Sequence, residues 1–182
     1  MIPSILVFLL LGSASELQRR AFANCDPTLR VKLSAAAPQL LSGTFRTPEA
    51  RDFDGDWLTF GLERCAVQVH ADFNGDGRED WIFLLIAEGF RLAGLISQAD
   101  GASVGIILRD EPANQHPTRY ILGVAEPGEY ESAYAKGYEV EPAPQRVRLA
   151  FKGVWFSLAE SVDWIYFWDI EKGGFTCVQI SD

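Results

Sequence analysis

The chain has 182 residues, 48% of them hydrophobic, and a formal net charge of −9. This length and composition predict one domain with a full hydrophobic core and exclude disorder for most of the chain. The negative charge argues against nucleic acid as a partner, because phosphate groups require a basic surface. A cation or a basic protein is the better match.

The N-terminus carries a short apolar run, Ile2 to Leu11, followed by Gly12-Ser13-Ala14-Ser15. The run is too short to cross a hydrocarbon layer of about 30 Å, but it matches the apolar region of a secretory signal peptide with small residues before the cleavage point. We therefore predict a signal peptide over residues 1–15, a periplasmic or secreted protein, and no stable membrane span after its removal. The alternative is a buried N-terminal strand or helix.

Residues 16–56 are predicted to contain a short helix and a connecting segment. Between Pro27 and Leu41 the apolar residues recur at the spacing of an amphipathic helix. Asp26 is the expected N-cap, and Pro38 should end or kink the helix.

Residues 57–182 are predicted to form a β domain, because short apolar runs alternate with Gly, Pro and Asp. The candidate strands are 57–62, 65–71, 80–87, 91–98, 103–109, 118–124, 145–151, 154–158, 163–169 and 174–180. Their spacing favours a mainly β fold, namely an antiparallel meander, a sandwich or an open barrel, with the short N-terminal helix beside it. In the run 163–169 both faces are apolar, which predicts a central strand covered on both sides.

The segment 126–144 is rich in Gly, Pro, Glu and Tyr and is predicted to be one long exposed loop. Tyr130, Tyr134 and Tyr138 are candidate aromatic anchors for a protein partner that binds through this segment.

Residues 72–80, with the sequence DFNGDGRED, have the most specific pattern. Asp72, Asn74 and Asp76 place side-chain oxygens at alternate positions, and calcium prefers such hard oxygen ligands. Arg78 can offer its backbone carbonyl, and Asp80 is the natural closing carboxylate, with Glu79 as the second candidate. An EF-hand is excluded, because its last ligand position holds Phe83 and because the flanking runs are typical of strands. The alternative is an acidic hairpin turn that binds no metal.

A loop of this form between two strands resembles the FG-GAP or VCBS-type repeat, D-x-N-G-D-G-x-x-D followed by a hydrophobic strand. The match covers residues 71–86. It implies that Ca²⁺ is bound by Asp72, Asn74, Asp76 and Asp80 and by the carbonyl of Arg78. Such repeats usually occur in series as propeller blades, whereas this chain has one clear copy, so a propeller is not expected.

A second resemblance concerns the C-terminal part of the chain. The sequences FWD at 167–169, ISD at 180–182 and KGY at 136–138 are similar to those of small exported bacterial proteins of uncharacterised function that also carry such a loop. This resemblance covers roughly residues 65–182. It implies an exported protein but no activity.

The three cysteines, Cys25, Cys65 and Cys177, could form one disulfide in an oxidising compartment. Their spacing does not determine which two would pair. The alternative is three buried thiols.

No catalytic residue is predicted. The pentapeptide 101–105 matches G-x-S-x-G, but a nucleophile elbow requires a helix after Ser103, and an apolar strand is expected there instead. The chain has two histidines, His70 and His116, and their spacing to the cysteines does not indicate a Cys–His pair.

Together these features predict an exported, calcium-stabilised, β-rich binding module. A more specific form is an inhibitor or immunity protein against a cell-wall hydrolase, since an acidic exported domain suits a cationic lytic enzyme. The alternative is a calcium-dependent envelope hydrolase, which would need a concave pocket with two carboxylates or a Cys–His pair. A third possibility is a structural envelope component.

Overall fold

The structure is a computed structural model that describes residues 20, 22–53, 64–111, 119–158 and 161–181. The predicted signal peptide at 1–15 and the candidate strand at 57–62 lie outside these ranges. The helix α1 spans Leu29–Ala36, and short 3₁₀ turns span Pro38–Leu41 and Ala50–Asp52. Within the described ranges, no helix has the length and apolar character needed to span a membrane.

The described residues form ten strands, and every pairing between them is antiparallel. The prediction of a mainly β fold with a short helix is therefore confirmed. The strands are β1 (Gln68–Ala71), β2 (Asp80–Ile86), β3 (Phe90–Ser97), β4 (Ser103–Glu111), β5 (Tyr120–Ala125), β6 (Gly128–Glu131), β7 (Arg146–Leu149), β8 (Gly153–Leu158), β9 (Asp163–Asp169) and β10 (Gly174–Gln179).

The strands form two four-stranded sheets and a hairpin. The first sheet has the order β1-β2-β3-β4, the second has the order β10-β9-β8-β5, and β6 pairs with β7. The two sheets approach each other at β1 and β5, where the Leu122 amide donates to the Ala66 carbonyl at 2.8 Å. Their facing sides bury an aromatic cluster in which the Tyr120 and Phe156 rings stack at 4.7 Å, with Phe90 beside both.

Helix α1 and the following 3₁₀ turn cover the outer side of the first sheet. Leu29, Leu33 and Leu40 are fully buried there with Phe83 and other sheet residues. Gly105 on β4 permits this close packing, because a Cβ at that position would lie 2.6 Å from the Ala37 Cβ.

The start of α1 differs from the prediction. Thr28, not Asp26, occupies the N-cap position. Asp26 lies two residues earlier, where its carboxylate accepts the Thr28 amide at 2.8 Å and the Lys32 ammonium at 2.6 Å. The Lys32 contact is the main reason why the pKa of Asp26 falls to about 2. The predicted end is confirmed, since α1 stops at Ala36 and Pro38 opens the 3₁₀ turn.

The hairpin β6–β7 covers the outer side of the second sheet. Leu149 packs there against Ile165 of β9 and Val178 of β10, with Tyr130 near Trp155. Strand β9 is therefore covered on both faces, as its sequence predicts.

The segment 126–144 is not the single exposed loop that its composition predicts. It begins with strand β6, which places Glu129 opposite Arg148 and Glu131 opposite Arg146. Opposite charges at directly paired positions stabilise such a hairpin. The partner residues lie 19 and 15 positions away in the chain, so the sequence of the segment alone could not indicate the pairing.

A disulfide joins Cys25 to Cys65, and Cys177 is free and exposed. The bond ties the residues before α1 to those before β1. The helix layer and the first sheet are therefore linked covalently as well as by packing.

Candidate metal centre

The loop 72–79 connects β1 to β2, and Ala71 pairs with Asp80 at its base. The side chain of Asp72 organises the turn. Its Oδ1 accepts the amides of Gly75 and Asp76 at 2.7 and 3.2 Å, and its Oδ2 accepts the Gly77 amide at 2.9 Å. One carboxylate therefore fixes the backbone of three successive residues. Gly75 and Gly77 both have positive φ angles, +81° and +79°, which explains the glycines at these positions.

Two further predicted ligands join the same network. Asn74 Oδ1 accepts the Asp76 amide at 3.0 Å, and Asp76 Oδ1 accepts the Arg78 amide at 2.9 Å. The oxygens of Asp72 and Asn74 share the Asp76 amide as a donor, so they lie close together. The first three ligand positions are thus gathered within one turn.

Asp80, the predicted closing ligand, faces the protein interior. Its side chain is fully buried, and its two oxygens accept the amides of Phe73 at 3.0 Å and Ser97 at 2.8 Å. Burial raises the pKa of Asp80, and the negative charges of Asp76 and Asp72 add to this effect, while the two amides oppose it. Asp80 therefore anchors the loop to the end of β3.

Two more hydrogen bonds attach the loop to the end of β3 and to the turn that follows it. The Arg78 guanidinium donates to the Ala99 carbonyl at 2.7 Å, and the Ser97 hydroxyl donates to the Glu79 carbonyl at 2.7 Å. The side chain of Arg78 thus attaches the loop to the neighbouring turn, while its backbone carbonyl is the predicted calcium ligand.

The loop also contacts the second sheet. Phe73 is fully buried, with its ring centroid 6.5 Å from that of Phe175 on β10. A Cβ at Gly75 would overlap the ring of Phe151, which lies between β7 and β8. The loop is therefore an ordered junction between both sheets.

The side chains of His70 and Glu79 are in contact at the base of the loop. His70 Nδ1 lies 2.6 Å from Glu79 Oε1, and the His70 ring stacks on Trp81 at 4.7 Å. The sequence offers the Glu79 side chain as a second candidate for the closing ligand, whereas the structure places it on His70. The role of Ser97 was not predicted. Only the alternation along β1 and β2 could have indicated that His70 and Trp81 share a face.

The side-chain oxygens of the loop are compatible with a bound cation. An ionised carboxylate has about four lone-pair sites, two on each oxygen, so an oxygen that accepts one amide retains a site for a metal. Asp72 Oδ2, Asn74 Oδ1 and Asp76 Oδ1 each accept one amide, whereas Asp72 Oδ1 accepts two and has no site left. Across the ranges that the structure describes, no three His, Cys, Asp or Glu side chains form a metal-ligand group. The oxygens at the loop are those of Asp72, Asn74 and Asp76, with the buried carboxylate of Asp80 beneath them.

A cleft of about 600 Å³ lies beside the disulfide and is lined by Asp26, His70 and Glu126 among others. Both of its cysteines are oxidised, so they offer no thiolate. Ser103 opens strand β4, so residues 101–105 do not form a nucleophile elbow. His116 lies outside the described residues.

Fold and loop together define the class of this protein, a mainly β protein of antiparallel sheets whose acidic Asp/Asn turn contacts both four-stranded sheets. Comparisons with protein-family models, with curated proteins and with solved structures found no match for this chain.

Proposed function

We propose that this chain is an exported β-rich binding module whose fold is stabilised by Ca²⁺ at the loop 72–80. The observation that carries the proposal is the convergence of Asp72 and Asn74 oxygens on the Asp76 amide, in a loop attached to both sheets. The ligands would be Asp72, Asn74, Asp76 and Asp80, with the carbonyl of Arg78.

A cation at this position has a clear physical role. Three carboxylates, those of Asp72, Asp76 and Asp80, lie near enough for the charges of the first two to raise the pKa of the third. Repulsion between like charges destabilises the loop, and a divalent ion would offset it. Since the loop contacts both sheets, the added stability would extend to the whole sandwich.

The Cys25–Cys65 disulfide supports the export part of the proposal, because disulfides persist in oxidising compartments such as the periplasm and the extracellular space. Calcium is also available at such locations, where weak extracellular sites have dissociation constants of about 0.1–1 mM.

The binding part of the proposal concerns a protein partner contacted through residues 126–144. In its more specific form, the chain inhibits a cell-wall hydrolase. The net charge of −9 supports this form, since an acidic surface attracts cationic enzymes. We expect the mature chain to slow the digestion of purified peptidoglycan by at least one basic hydrolase. Undiminished digestion by a c-type lysozyme, an amidase and a lytic transglycosylase would remove the support for an inhibitor.

Calcium should raise the melting temperature of the purified chain. At about 10 mM Ca²⁺ and a dissociation constant of about 0.1–1 mM, binding adds about 1.4–2.7 kcal/mol of stability. For a domain of this size, that corresponds to about 3–10 °C. The measurement is a thermal melt in calcium and in EGTA.

Asp76→Asn should abolish most of this increase in melting temperature, because it removes one negative charge from the proposed calcium ligands. Asparagine keeps an acceptor for the Arg78 amide, so the turn itself should be retained. Asp100→Asn is the matched control, since Asp100 accepts the Ala102 amide in the neighbouring turn. Equal melts in calcium and EGTA for the wild type would eliminate the metal from the proposal.

A further inference from the structure

We infer that the partner is contacted through one preformed turn, residues 132–141, and that it presents a basic surface to this turn. The inference rests on the proposed function and narrows the broader segment 126–144. It follows from the hydrogen bonds, the exposure and the charges of the turn.

The turn is a single helical turn closed by a Schellman motif. The Tyr138 amide donates to the Ala133 carbonyl at 3.1 Å, and the Gly137 amide donates to the Tyr134 carbonyl at 3.1 Å. Gly137 has a φ angle of +85°, the left-handed conformation that this motif requires after the last helical residue. The Schellman motif thus explains the glycine in the sequence KGY at 136–138.

Three long-range hydrogen bonds hold the turn on the body of the protein. The Ala133 amide donates to the Gln179 carbonyl at 2.8 Å, and the Lys136 ammonium donates to the Ile180 carbonyl at 2.7 Å. The Ser132 amide donates to the Gln145 carbonyl at 3.0 Å. Ser132 and Ala133 are themselves fully buried. The turn is therefore ordered before any partner arrives.

Two tyrosines project from this ordered turn. Tyr134 is 44% exposed and Tyr138 is 42% exposed. Tyr130 does not belong with them, because its hydroxyl donates to the Glu126 carbonyl and its ring packs near Trp155. A rigid tyrosine offers a large contact area and loses little conformational entropy on binding, which favours it as an interface anchor.

The charges beside the tyrosines are acidic. Glu139 and Glu141 are exposed on the C-terminal side of the turn. The one basic side chain in the turn, Lys136, donates to the protein's own Ile180 carbonyl. Glu129 and Glu131 face Arg148 and Arg146 across the hairpin. Lys136 keeps its positive charge, so residues 132–141 carry a net charge of −1, with both glutamates on the C-terminal side of the turn. A basic partner is the complement of this surface.

The test measures binding of the mature chain to a c-type lysozyme, an amidase and a lytic transglycosylase, all basic, by biolayer interferometry. For a hydrolase that binds the wild type, Tyr134→Ser with Tyr138→Ser should weaken binding at least about 30-fold, the loss typical of a truncated hot spot. The matched control is Val31→Ser with Ile170→Ser, because these side chains are 70% and 62% exposed elsewhere. It should bind within about 2-fold of the wild type.

A second pair of variants tests the charge. Glu139→Gln with Glu141→Gln should weaken binding about 5-fold at about 50 mM NaCl and much less at about 300 mM, because salt screens exposed charges. Glu88→Gln with Glu171→Gln removes the same charge from other exposed turns and should have little effect. Gly137→Ala should weaken binding as well, because alanine disfavours the left-handed conformation that orders the turn. Melting temperatures confirm that each variant is folded.

The outcomes separate the inference from the proposed function. If the wild type binds a hydrolase and the variant with Tyr134→Ser and Tyr138→Ser binds it equally well, the inference about the turn is wrong. The proposal of a binding module then still stands. If wild-type binding does not change with salt, and the variant with Glu139→Gln and Glu141→Gln binds as tightly as the wild type, the inference of a basic partner is wrong. Failure of the wild type to bind any of the three hydrolases overturns the inference together with the inhibitor form of the proposal.

Discussion

Replacing Cys25 and Cys65 together by alanine should lower the free energy of unfolding by about 3–4 kcal/mol. The two residues are 40 positions apart, and opening a loop of that length restores chain entropy to the unfolded state by about this amount. Because the bond joins the segment before α1 to the segment before β1, we expect α1 to separate from the first sheet first. Urea unfolding monitored by far-UV circular dichroism measures the change.

The comparison should be made in a Cys177→Ser background, so that the free thiol cannot exchange with the disulfide. Cys177→Ser alone should change stability by less than about 1 kcal/mol, since the residue is exposed. Reductant should destabilise the Cys177→Ser chain and leave the triple variant unchanged. Equal urea midpoints for these two chains under oxidising conditions would show that the disulfide does not stabilise the fold.

Replacing Asp80 by alanine should cost about 3 kcal/mol or more. The change removes the acceptor of the buried Phe73 amide and of the part-buried Ser97 amide. Each unsatisfied buried donor costs about 1–3 kcal/mol. Asp100→Ala is the matched control, because it removes a carboxylate that accepts one amide in an exposed turn. It should cost less than about 1 kcal/mol. Denaturant unfolding of both variants in EGTA provides the measurement without a contribution from metal.

The pH dependence of the same residue has a defined sign. Burial raises the pKa of Asp80 above its unfolded value of 3.8, so the folded state binds the proton more tightly. The stabilisation from this proton is present below pH 3.8 and is lost as the pH rises through the folded pKa. Asp80→Asn should lack this loss when the unfolding free energies of both chains are compared in calcium-free buffer from pH 3.8 upward. An identical pH profile for the wild type and Asp80→Asn would contradict the raised pKa.

The sequence predicted the local features of the fold well. Alternating apolar residues placed nine candidate strands within the described ranges close to the observed ones, and Pro38 ended α1 where expected. Strand β9 has apolar residues on both faces, and both faces are covered. These features depend on the chain direction and on residues a few positions apart, which a linear pattern records.

Features that depend on distant residues could not be read in this way. The pairing of β6 with β7 changed part of the predicted loop 126–144 into a hairpin, and the Schellman turn at Gly137 ordered another part. The choice of Cys65 as the partner of Cys25 depends on how α1 packs on the first sheet. Each of these contacts joins residues whose proximity exists only after the sheets have assembled.

The loop 72–80 shows both sides of this division. Its sequence alone determined that Asp72, Asn74 and Asp76 share one turn, because glycines at 75 and 77 permit the positive φ angles that the turn needs. Tertiary structure decided that Asp80 points inward, since the amide that it accepts from Ser97 comes from β3, seventeen positions further along the chain. A spacing pattern identifies oxygens that can face a common point, whereas burial and the amide donors from other strands determine how each of them is oriented.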